Sequence, residues 1–103
     1  METEAVLRAR LNLETGQVAW SSLQRFFAQG KTRFVSAELD LVEVAVQIIR
    51  DNGELVEQWM GNGSLKPVPD NLAKAWIEED AYVWSVVVRP WVLVQPIAKD
   101  TGS

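Results

Sequence analysis

The chain contains neither cysteine nor histidine. The first absence excludes a disulfide framework, thiolate zinc sites, iron–sulfur clusters and a Cys nucleophile. The second removes the commonest metal ligand and the side chain that titrates nearest neutral pH. Together they exclude every Ser-His-Asp or Cys-His arrangement and most small metallo-domains, and no cofactor is expected. A missing Cys also fits a reducing compartment. Long apolar runs are lacking too. The greasiest region, 81–97, is interrupted by Ser85, Arg89, Pro90 and Gln95, whereas a membrane-spanning helix needs about 20 predominantly apolar residues. The N-terminus, METEAVLRARLNLET, has no basic segment leading into an apolar run, so it does not read as a secretory signal. The expectation is a soluble, cytoplasmic protein that makes no use of a membrane.

What is present suits one folded domain. A chain of 103 residues with 48% hydrophobic and 23% charged residues has the material for a core without covalent staples. We expect a single domain over 1–97 and a frayed C-terminal tail over 98–103, with no internal repeat or low-complexity tract. The net charge of −4 is unevenly placed. Arg8, Arg10, Arg25, Lys31 and Arg33 lie in the first third, whereas acids dominate residues 36–80. That acidic middle argues against a nucleic-acid partner. The N-terminal cations read as solvated helix faces.

Hydrophobic periodicity predicts several short elements. Residues 3–14 read as an amphipathic helix capped by Thr3, with Val6, Leu7, Leu11 and Leu13 as its stripe and Gly16 as its stop. A second helix fits 20–29, capped by Ser21 or Ser22 and burying Leu23, Phe26 and Phe27. KTRFVS, 31–36, is a strand candidate. The segment 39–52 is ambiguous. Val42, Val44, Val46 and Ile48 alternate as in a strand, yet Asp40, Glu43, Gln47 and Arg50 make one polar helical stripe. Helix is preferred and strand is the alternative. Asp51 with Glu54 has capping-box spacing and opens a further helix, which carries Leu55, Val56, Trp59 and Met60 and ends in Gly61-Asn62-Gly63. Residues 65–69 are extended because of their prolines. Asp70 caps a last helix with Leu72, Ala73, Trp76 and Ile77 facing inward.

The most unusual stretch is YVWSVVVRPWVLVQP, 82–96, with two of the five Trp residues and Arg89 as its single charge. Two strands, 82–88 and 91–95, meet at Arg89-Pro90. A tight hairpin favours residues of positive φ, which Arg-Pro does not supply, so one long strand bent at Pro90 is equally open, with Pro90 favouring a sheet edge. In an unbent strand Trp84 and Trp91 lie on opposite faces, both of them largely apolar. Such a strand is buried on both sides or meets another chain. Aromatic residues and Arg are enriched at interface hot spots, which makes Trp84, Arg89 and Trp91 the interface candidates. Burial in the core is the equally weighted alternative.

Other groupings carry weaker signals. Glu78, Glu79 and Asp80 form a carboxylate cluster, but adjacent helical positions diverge, so they are only weak candidates for a hard-cation site and no metal is assigned. Acids at a helix C-terminus oppose the helix dipole, which suggests pairing with nearby Arg or Lys. Glu38, Asp40 and Glu43 are explained by capping and dipole preferences at a helix start. GNGS, 61–64, is shorter than the glycine pattern of a phosphate loop and is followed by extended Leu65-Lys66-Pro67 in place of a helix, so it reads as a helix stop.

Three stretches, LDLVEVAVQIIRDN at 39–52, ELVEQWM at 54–60 and WSVVVRPWVLVQP at 84–96, together resemble the domain of unknown function 2288 family of short bacterial and cyanobacterial proteins, over about residues 11–96. The resemblance implies a bacterial, cytosolic, single-domain protein and brings no catalytic residue or cofactor with it. The fold expected is α+β: four or five helices on a small sheet of two to four strands, with an apolar C-terminal strand or hairpin central to the core. The preferred function is a non-catalytic module that binds a protein partner or itself, a homodimer included, through the Trp-rich C-terminal strand or its edge. The alternative is a small carboxylate-dependent enzyme or small-ligand-binding protein relying on carboxylates, Arg or Tyr82.

Overall fold

A computed structural model describes residues 3–97; the tail expected over 98–103 lies outside them. The chain runs α1 (Glu4–Glu14), β1 (Gly16–Ala19), a 3-10 turn (Trp20–Leu23), α2 (Gln24–Ala28), β2 (Thr32–Val35), α3 (Leu41–Ile49), α4 (Gly53–Gly61), β3 (Leu65–Pro67), α5 (Asp70–Glu78), β4 (Tyr82–Val88) and β5 (Trp91–Pro96). Five helices therefore pack on one five-stranded mixed sheet of order β1-β4-β5-β2-β3. Only the β2–β5 pair is parallel. The architecture is α+β as expected, but the sheet exceeds the two to four strands that the sequence suggests. The additional strand is β1. Thr15, extended and donating its hydroxyl to Leu11 O, ends α1 in place of the expected Gly16, and Gly16 opens a four-residue strand, which is ordered by pairing along β4 from Gly16↔Ser85 to Ala19↔Tyr82.

Side-chain alternation divides the core between the two faces of the sheet. Val86, Val88 and Leu93 join Leu7, Leu11, Val44, Ala45 and Trp59 beneath α1, α3 and α4. Val83, Val92 and Val94 point the other way, onto Trp20, Leu23, Ala73 and Trp76. Trp20 is fully buried there and meets Trp76 edge-on, with ring centroids 5.0 Å apart. The greasy composition of 82–96 follows: β4 and β5 are the second and third strands of a sheet covered on both faces.

The join at Arg89-Pro90 is a two-residue hairpin turn. Val88 pairs with Trp91 and Val83 with Pro96, and the Arg89–Pro90 peptide bond is cis, the geometry of a turn with proline at its third position. Pro90 thus lies in the turn and not in a sheet edge. Reversing the chain also brings Trp84 and Trp91 to the same face, unlike the opposite faces of an unbent strand.

Segment 39–52 is helical. Asp40 caps it by accepting from the Val42 and Glu43 amides at 3.0 and 3.2 Å, and Leu41, Val44, Ala45 and Ile48 make a stripe at helical spacing. Four local expectations need correction. Ser21 and Ser22 cap nothing, since the 3-10 turn leads straight into α2. The cap of α4 is Asn52, which accepts from Leu55 N, and Asp51 instead takes φ 59° after the end of α3. Asp70 is the first residue of α5 and makes no cap bond. On α1 only Leu7 and Leu11 are buried, and Leu13 is 88% exposed.

Candidate functional site

The sequence-predicted site residues lie at two ends of the hairpin. Trp84 pairs with Gln95 near the β1 side and packs partly buried on the core beneath the helices. Arg89 is exposed in the turn, and Trp91 opens β5 beyond it, half-buried and packed on the same core as Trp84. The structure brings Arg89 and Trp91 together and leaves Trp84 about four strand positions away, roughly 13 Å along β4. Adding a partner strand to β4 or β5 is closed, because each is flanked on both sides; the free edges are those of β1 and β3.

Trp91 borders a pocket of about 190 Å³ between the sheet and the α3–α4 pair. Leu65 and Leu93 contribute from the sheet, Ile48 from the end of α3, and Val56 and Met60 from α4. Arg33 on β2 completes it. Its guanidinium sits 4.1 Å from the Trp91 ring centroid, a cation–π stack, while Nη1 donates to the Gly30 and Thr32 carbonyls at 2.9 Å each. Backbone and indole together fix this side chain, which limits the entropy it loses on receiving a ligand. Lys66 also borders the pocket, but its ammonium lies over Phe34, 5.4 Å from the ring centroid, on the opposite face of the sheet.

Ile48 is shared with an adjoining groove formed with Ile49, Val87, Val88 and Arg89 and with the Arg10–Glu14 ion pair of α1. Met60, Ile49 and Val87 are large apolar side chains left 58%, 42% and 54% exposed around this end of the hairpin. The wall of the pocket holds no carboxylate and no hydroxyl, so it grips apolar matter without offering a general base or a nucleophile.

The acidic groups stand elsewhere. Glu78 ends α5, Glu79 is its C-cap, and Asp80 takes φ 53° beyond it, all exposed. Asp80 N bonds Ile77 O and Ala81 N bonds Trp76 O, the paired bonds of a left-handed helix stop. The backbone therefore accounts for Asp80. Among the described residues no three acids are placed to hold a metal ion. Asp40 is a cap, and Glu43 pairs with Arg8 while accepting from Gln47 at 2.8 Å. That hydrogen bond to Glu43 is the main cause raising the Arg8 pKa above its ordinary value. Tyr82 is exposed at the start of β4.

Sequence reasoning missed two residues. Arg33 reads as an ordinary cation of a short strand; only the β2–β5 pairing shows that it reaches Trp91. Gln95, buried at 9% exposure, donates to the Ser36 and Leu39 carbonyls at 2.9 and 2.7 Å and ties β5 to the loop before α3. An amide within an otherwise apolar run was the available signal.

Comparison with known proteins agrees with this architecture. The family model described as protein of unknown function (DUF2288) matches residues 6–96. The chain belongs to this family. A solution structure of PA1075 from Pseudomonas aeruginosa is 42% identical in sequence and superposes with a TM-score of 0.80, covering 98% of this chain and 94% of that one. No curated protein matches this DUF2288 chain. Among its described residues no helix is long and apolar enough to cross a membrane.

Proposed function

We propose that this protein is a non-catalytic, cytoplasmic interaction module whose contact surface is the turn end of the C-terminal hairpin. The observation that carries the reading is the apolar pocket beside Trp91, bordered by exposed Met60 and adjoined by exposed Ile49 and Val87. Its volume, about 190 Å³, falls below the roughly 300–1,000 Å³ of sites that enclose drug-sized ligands and cofactors. It exceeds the ~150 Å³ of a cavity that accepts benzene. One bulky side chain of a partner fits that interval. Trp, Arg and Met are also the residue types enriched in interface centres.

The test is capture of partners on the tagged protein from its native host, comparing wild type with Met60→Glu and Trp91→Ala. Met60→Glu places a charge at an exposed lip and should leave the fold intact. Loss of a stoichiometric partner in both variants, with cooperative urea unfolding retained, supports the reading. Retention of that partner by both variants, or collapse of Trp91→Ala with no change in Met60→Glu, assigns Trp91 to the core instead.

A further inference from the structure

Arg33 supplies the charge of the pocket, and no carboxylate balances it. In a chain of net charge −4, Arg8 pairs with Glu43 and Glu4, Arg10 with Glu14, and Arg50 with Glu4. Among the described residues neither Arg33 nor Arg89 has an acidic partner, and no acid borders the Trp91 pocket. A guanidinium carries five N–H donors. The Gly30 and Thr32 carbonyls engage Nη1 alone, which leaves the donors on Nε and Nη2 without an acceptor among the described residues. Held over the Trp91 ring, Arg33 is prepared to meet a planar anion at the edge of an apolar cavity.

We propose that the pocket receives an acidic peptide segment of a partner protein: one bulky apolar side chain fills the cavity and a neighbouring carboxylate pairs with Arg33. This rests on the interaction reading above. The cavity limits the anchor to a single side chain, and the cation adds a requirement for negative charge next to it.

The experiment is a titration of the ¹⁵N-labelled full chain, at low salt, with two end-blocked peptides, Glu-Glu-Phe-Glu-Glu and Gln-Gln-Phe-Gln-Gln. Saturable shifts are expected at the Trp91 indole N–H and the Met60 and Leu93 amides, with the Glu peptide binding about tenfold more tightly than the Gln peptide, the scale of one charge-assisted hydrogen bond. Arg33→Gln should remove that preference while the Gln peptide still binds. Equal binding of both peptides at this site overturns the acidic requirement and leaves the pocket as an interaction surface. Failure of both peptides to shift these resonances overturns both readings. Phenylacetate binding as tightly as the Glu peptide identifies a free small acid and overturns the peptide assignment. Peptide affinity that falls as protein concentration rises identifies a second copy in the pocket and also overturns it.

Discussion

Replacing Gln95 should cost far more than its polar character suggests. Its amide nitrogen donates to two main-chain carbonyls, Ser36 O and Leu39 O, at 2.9 and 2.7 Å. Both belong to the loop that delivers the chain from β2 to α3. Gln95→Leu keeps most of the volume and removes both donors. A net hydrogen bond contributes about 1 kcal/mol, and an acceptor left buried without a partner costs about 1–3 kcal/mol. Two acceptors, offset in part by the added apolar burial, put the loss at about 2–4 kcal/mol. Gln95→Glu should cost more at neutral pH, because a carboxylate would then face two carbonyl oxygens. That burial among acceptors raises the folded-state pKa of the introduced group above its unfolded value, so the deficit relative to wild type is largest above the folded pKa and shrinks as pH falls toward about 4. Urea unfolding at pH 7 and pH 4 measures both effects; a lower midpoint at unchanged slope reports a loss of stability. A Gln95→Leu variant within about 0.5 kcal/mol of wild type, the range of unremarkable surface changes, would refute the tether.

Other outcomes follow from single residues. Asp40→Ala removes the acceptor for two amides at the start of α3 and should cost about 1 kcal/mol in the same assay. Asp51→Gly and Asp80→Gly relieve left-handed backbone at helix stops and should each raise stability by about 0.5 kcal/mol; a loss at both sites would contradict the assignment of those acids to the backbone. Leu11→Ala should cost about 3–4 kcal/mol, whereas Leu13→Gln should fall within about 0.5 kcal/mol, a contrast that thermal melts can read directly.

Much of the fold was legible where periodicity and caps agree. Thr3, Asp40 and Gly63 mark helix ends in the sequence and do so in the structure. The helical reading of 39–52 wins over strand because capping and a continuous apolar stripe act together, despite the β-branched residues. β1 was not legible, since four residues opening on glycine have little strand preference of their own and gain order only from β4. The hairpin was ambiguous because Arg-Pro matches none of the common positive-φ turn pairs. Of the candidate site, Trp84 and Trp91 are alike in being half-buried against the core beneath the helices, the burial that the sequence left open for them, and Arg89 alone of the trio is exposed. Arg33 was hidden: it lies about 58 positions before Trp91, and the parallel β2–β5 pairing that joins them is non-local.

The most direct measurement on the central claim is site-specific photo-crosslinking in the native host, with a benzophenone side chain replacing Met60 beside the pocket or, as a control, Ile77 on the α5 face. Both positions are exposed, at 58% and 44%. If the turn end of the hairpin is the contact surface, position 60 yields one discrete cross-linked protein and position 77 yields none. Adducts from position 77 alone, or the same set from both positions, would contradict the account.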